Sequence, residues 1–223
     1  ICSKKYDLNM DEEISIIDSK TRNEKIRNFF INNKKNLIIG LSFIIIGLLG
    51  FFFNNELEEK NKIKLANKFN LITINYKEGV KQNTVNELID IIDHNDSTYS
   101  PLALYFLIDN ELVKDQTKIN NLFDVLINDT NLDFEIKNLI IYKKALYKSN
   151  FVEENELINI LNPIINKENL WKSHALYLLG EYFFSKGENQ KAKEFYNQIL
   201  VLSNSNPDIK LKSQKRINRN LGE

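Results

Sequence analysis

The sequence predicts an all-α chain: a single N-terminal transmembrane helix, then an α-solenoid of about four helical hairpins with a C-terminal capping helix. Three observations predict it. Leu37 to Phe53 reads LIIGLSFIIIGLLGFFF, an unbroken apolar run with no charge in it. Downstream, apolar residues recur at helical intervals between short polar turns. Seven glycines and three prolines in 223 residues are too few for the many turns of a sandwich or barrel.

The apolar run, about 17 residues, covers about 25 Å of helix, near the lower limit for crossing a bilayer core. Lys34 and Lys35 reach the headgroups at one end, and Asn54 and Asn55 close the other. Between Lys20 and Lys35 the basic residues Lys20, Arg22, Lys25, Arg27, Lys34 and Lys35 are opposed only by Glu24, whereas Glu56, Glu58 and Glu59 precede Lys60 on the far side. Basic flanks stay in the cytoplasm. The expected layout is therefore a cytoplasmic segment over 1–36, a transmembrane helix over 37–53 and a periplasmic domain over 54–223 of a single-pass inner-membrane protein. A cleaved signal peptide fits less well, because FFFNNELEE offers no small-x-small cleavage site. The only methionine is Met10, so translation is expected to start there, with residues 1–9 and the lone cysteine, Cys2, upstream of the true start. Gly40, Gly47 and Gly50 do not make the small-xxx-small spacing of a helix-pairing face.

Before the run, Ile26, Phe29 and Phe30 are spaced for a helix at the membrane interface beside its basic residues. After it, Ile63, Ala66, Phe69, Leu71 and Ile74 fall at helical intervals, and no breaker separates Phe53 from Tyr76. The membrane helix is expected to continue into the first helix of the domain, with Gly79 as the first stop signal. A helix over 84–92 carries Val85, Leu88, Ile89 and Ile92 on one face. In HNDSTYSP, Ser100 is expected to cap a buried helix, PLALYFLIDNELV, that has Pro101 at its first position. Further helices are expected from Thr117 to Ile127, from Phe134 to Tyr147, and from Glu153 to Leu161, the last ending before Pro163. The basic stretch from Pro207 to Asn220, with Lys210, Lys212, Lys215, Arg216 and Arg219, stands where a solenoid needs a polar cap.

The last hairpin is the most specific. It reads LYLLGEYFFSKGENQKAKEFYNQILVLSNSNP from Leu176. Leu176, Leu179, Gly180, Phe183, Gly187, Ala192 and Tyr196 occupy positions that resemble a tetratricopeptide repeat. Gly180 and Ala192 are small where two antiparallel helices cross, which leaves room for Phe183 and Tyr196 beside the crossing. Ile199, where alanine is usual, and the late Pro207 depart from the pattern. Earlier hairpins match in periodicity and in small residues such as Ala103 and Ala145.

Little in the chain points to chemistry. Basic and acidic residues balance at 30 each, so no global charge calls for nucleic acid. His94 and His174 have no ligand at a usual metal spacing, and no phosphate loop or nucleophile elbow occurs. No catalytic, cofactor-binding or metal-binding residue is expected, and the chain reads as a non-enzyme. Among Trp171, Tyr177, Tyr182, Phe183, Phe184, Phe195 and Tyr196 most should be core, with Tyr182 the residue expected to face a bound protein.

The basic segment IRNFFINNKKNLIIGLSFIIIGLLGFFF, the SPLALYFL helix and the HALYLLGEYFFSKGENQKAKEFYNQIL hairpin, in that order, resemble the YfgM family of ancillary SecYEG translocon subunits. The resemblance in layout runs from about Asp11 to the C-terminus. It implies a protein-binding module beside SecYEG that works with a PpiD-type periplasmic chaperone on secreted client chains, in contact with membrane lipid and not with nucleic acid. The competing expectations are a repeat scaffold for another envelope process, such as cytochrome c maturation or cell division, and an enzyme without a recognisable motif.

Overall fold

A computed structural model describes residues 22, 24–76 and 81–221, so the expectations for Met10, Cys2 and Gly79 lie outside it. Every regular element among the described residues is helical. The chain divides into two compact units, Ile1–Asn61 and Lys62–Glu223.

In the first unit α1 covers 24–32 and α2 is Lys34–Ile74. Hydrogen bonding of the α-helical kind carries through the turn residue between them: Asn33 N–H donates to Phe29 O at 3.0 Å and Leu37 N–H to Asn33 O at 2.9 Å. The apolar run is helical because no proline interrupts its backbone ladder. Its one hydroxyl, on Ser42, donates back to Ile38 O at 2.9 Å. Side chains around the whole circumference are exposed, from 37% at Leu37 to 72% at Phe43. By length and composition α2 can cross a membrane. It continues unbroken past Phe53, where Asn54 donates to Glu58 at 3.1 Å and Lys60 pairs with Glu56 at 2.7 Å.

Among the described residues the second unit takes up the last turns of α2 and eight more helices: α3 (Lys81–Asp93), α4 (Tyr99–Asp109), α5 (Gln116–Asn128), α6 (Phe134–Lys148), α7 (Glu154–Ile165), α8 (Lys172–Ser185), α9 (Asn189–Val201) and α10 (Pro207–Asn220). In α2 the packed face differs from expectation. Leu65 and Ile72 are buried and Phe69 lies against them, while Leu71 is 65% and Ile74 80% exposed. Leu65, Phe69 and Ile72 follow the four- and three-residue steps of one helix face, and α3 and α4 approach from that side. There Lys68 pairs with Asp90, and the Phe69 ring meets Tyr99 and Phe106 at 6.1 and 6.4 Å.

Side-chain caps set the starts of three helices among the described residues. Asp115 caps α5 by accepting from Thr117 N–H at 2.9 Å and Lys118 N–H at 3.3 Å, and Asn206 caps α10 by accepting from Asp208 and Ile209 N–H at 3.0 and 3.2 Å. Ser100 is not the cap of α4. Asp96 takes that part, accepting from Thr98 and Tyr99 N–H at 2.9 and 2.7 Å. The fully buried Ser100 hydroxyl instead donates to Ile91 O at 2.9 Å, fastening α4 to the end of α3. Pro163 also departs from expectation: α7 runs on to Ile165 and holds the proline in its last turn. A proline there removes only one hydrogen bond close to where the helix ends, and Leu161 and Ile164 on either side are fully buried.

From α3 onward each helix packs on the next in sequence, with further contacts of α3 on α5, α6 on α8 and α8 on α10. The core forms two clusters. One runs from Leu65 to Ile140 and the other from Ile141 to Leu221. They adjoin on α6, whose consecutive Ile140 and Ile141 belong to one cluster each, and Ile127 touches both.

Candidate functional site

The hairpin α8–α9 with α10 brings the motif residues together. Leu179, Ala192 and Tyr196 are fully buried, Leu176 is 2% exposed and Phe183 1%. At the crossing, a Cβ built on Gly180 would lie 2.5 Å from Tyr196 Cε1 and 2.9 Å from Cδ1 and Cζ. No side chain fits there, because the Tyr196 ring is itself enclosed. Phe183 stacks on Phe195 with ring centroids 5.4 Å apart and planes 9° from parallel.

Gly187 makes the turn. Its φ of +78° is one that L side chains rarely adopt. Around it Glu188 N–H donates to Phe183 O at 2.9 Å and Gly187 N–H to Phe184 O at 3.1 Å, the paired bonds of a Schellman motif that close the end of α8.

Beside this crossing lies a polar cluster that no spacing in the sequence reveals. Tyr196 Oη donates to Glu181 Oε1 at 2.7 Å, and Arg216 Nε donates to the same oxygen at 2.8 Å while its Nη2 reaches Oε2. The guanidinium also lies 5.0 Å over the Phe184 ring. Burial pushes Glu181 up, but Arg216 and the Tyr196 and Tyr177 hydroxyls outweigh it and hold the carboxyl below its ordinary range. Burial, then the hydrogen bond to Glu181, raises Tyr196, and the hydrogen bond to Glu181 raises Arg216. The assembly is a charge-assisted fork that ties α10 to α8. Arg216 is thus partnered, where the sequence alone reads it as one of several solvated cap charges.

Tyr182 corrects an expectation. It is 7% exposed, and its hydroxyl donates to Val152 O at 3.0 Å, so it joins α8 to the turn before α7 rather than facing outward. The half-buried aromatics lie elsewhere. Tyr142 on α6 stacks against Trp171 at 5.7 Å and 25°, and the His174 ring meets both, at 5.9 and 5.2 Å. Burial lowers the His174 pKa, and the Lys212 charge adds to that against the opposing Leu170 carbonyl. Tyr142 and His174 are remote in sequence, so only the packing of α6 on α8 joins them. His94 stands apart, its Nδ1 2.6 Å from Asp90 O.

Among the described residues no group of three or more His, Cys, Asp or Glu side chains could hold a metal ion. The polar groups of the Glu181 cluster are engaged with one another. No family model, curated protein or solved structure matches the chain.

Proposed function

We propose that the chain is a membrane-tethered, non-enzymatic protein-binding module. The observation that carries this reading is the exposed circumference of Leu37–Phe53, set in one helix with residues that pack into a separately cored helical domain. An apolar helix of that length exposed on all sides is stable in hydrocarbon and not in water. The excess of basic residues before the run favours a cytoplasmic N-terminal segment and a periplasmic domain.

The domain is read as a tetratricopeptide-like solenoid. The closely packed helix pairs, which lie one or two apart in sequence, support that reading, as does the Gly180–Tyr196 crossing beside the Gly187 turn. Tethering raises the concentration of such a surface at the membrane, where emerging chains would be met. The resemblance to the YfgM family makes SecYEG and a PpiD-type chaperone the proposed neighbours and secreted chains the proposed clients.

Crosslinking of the full-length protein in its own membrane, at native expression, tests this. Recovery of SecY or a periplasmic chaperone is the expected result. Recovery of haem-lyase or division components would instead assign the module to cytochrome c maturation or cell division, and recovery of no membrane or envelope partner would overturn the binding role.

A further inference from the structure

The segment before the membrane run carries exposed groups that the tethering role leaves unused. In α1 the side chains of Ile26, Phe29 and Phe30 are 49%, 56% and 57% exposed. Phe29 and Phe30 contact each other edge to face at 6.0 Å and 84°. With Asn33 and Leu37 they step along one face at three- and four-residue intervals. Lys25 and Arg27 sit on either side of that face, each about 100° round the helix from Ile26.

Arg22, Lys25, Arg27, Lys34 and Lys35 are all exposed, and among the described residues none is paired with a carboxylate. At the opposite end of the run the nearest lysine, Lys60, is already paired with Glu56. An apolar stripe flanked by free cations matches an anionic bilayer surface: rings enter the acyl boundary and cations meet phosphates. A protein groove would have to supply both an apolar floor and two acidic walls. The membrane supplies both chemistries at the place where α1 already stands.

We propose that α1 is a binding site for anionic phospholipid headgroups, in which Ile26, Phe29 and Phe30 enter the leaflet edge while Lys25 and Arg27 engage lipid phosphates. Phe30 precedes Leu37 by about 10 Å of helix, more than the headgroup layer of about 5–7 Å on each side. Laying α1 along the surface therefore requires the chain to bend at Asn33, the turn residue through which α-helical hydrogen bonds run in this structure. This inference rests on the reading of Leu37–Phe53 as a membrane span.

The test uses the full-length chain with Cys2→Ser and Phe30→Cys, labelled at position 30 with an environment-sensitive fluorophore. It is reconstituted into vesicles of phosphatidylcholine alone or with phosphatidylglycerol, and flotation with the vesicles is scored alongside emission. Flotation in both lipids is expected, with a blue shift and a several-fold loss of aqueous quenching only where phosphatidylglycerol is present. High salt, or Lys25→Gln with Arg27→Gln, should abolish the shift while flotation persists. Equal emission in the two lipids, or a shift that survives the charge variants, would overturn the lipid site and leave the span intact. Failure to float would overturn the span itself, and the lipid site with it.

Discussion

Leu37–Phe53 and Pro101–Ile108 are both strongly apolar helical stretches, and they have opposite surroundings. In α4 Pro101, Ala103, Leu104 and Leu107 are buried and Leu102 alone among the large aliphatic residues is exposed. In α2 every large apolar residue from Leu37 to Phe53 is exposed. Apolarity alone shows that each stretch avoids water. What receives it depends on length and neighbours: α4 is 11 residues long and lies between α3 and α5, while α2 has 41 residues and its first half is long and apolar enough to cross a bilayer.

That contrast can be broken from either side. Leu104→Asp places an uncompensated charge in the first core cluster, at a cost of several kcal/mol, and the domain should lose its cooperative melt. Ile45→Arg should leave that melt unchanged and cost about 2.5–3.5 kcal/mol of insertion, read as release from the membrane fraction when combined with Leu49→Arg. A milder pair sharpens the same difference: Leu104→Ala should cost the domain about 2–5 kcal/mol, and Leu49→Ala should not move its melting temperature.

Next in size is the α8–α9 crossing. Gly180→Ala forces a methyl group against the enclosed Tyr196 ring and should cost about 1–3 kcal/mol by denaturant titration. Equal stability of this variant and the parent would show that the crossing is looser than the packing around Tyr196 implies.

The Glu181–Arg216 fork sets a pH dependence. Glu181 is held below its ordinary value of 4.5 in the folded chain, so the unfolded chain binds this proton more readily. The stability it contributes is present above pH 4.5 and is lost as pH falls through the lower folded value. Glu181→Gln should therefore flatten the acid limb of the stability profile, with the difference from the parent largest near neutrality. Smallest of all, Tyr182→Phe removes the donor to Val152 O and should cost about 1 kcal/mol.

The fold's periodic parts were legible. Helix order and the α10 boundaries follow from short spacings, because helical neighbours lie three or four residues apart, whereas the close approach of Tyr196 to Gly180 comes from the packing of α9 on α8. The α7 end was not, because a proline in a last turn is tolerated when buried leucine and isoleucine residues flank it. Nor was the cap of α4: Asp96 and Ser100 are both capping types, and only the approach of Ile91 decides that Ser100 turns inward.

By itself the sequence determined an all-helical chain, an apolar stretch long enough to cross a membrane with basic residues concentrated on one flank, and a glycine turn at Gly187. Tertiary structure decided which face of α2 is covered, that Tyr182 points inward and that Tyr142, Trp171 and His174 meet. It also joined Arg216 to Glu181 across 35 residues. The physical reason is range. Backbone conformation and hydrophobic period are set within a turn or two, whereas the partner of a tyrosine hydroxyl or a guanidinium is set by helices that meet only after the chain has packed.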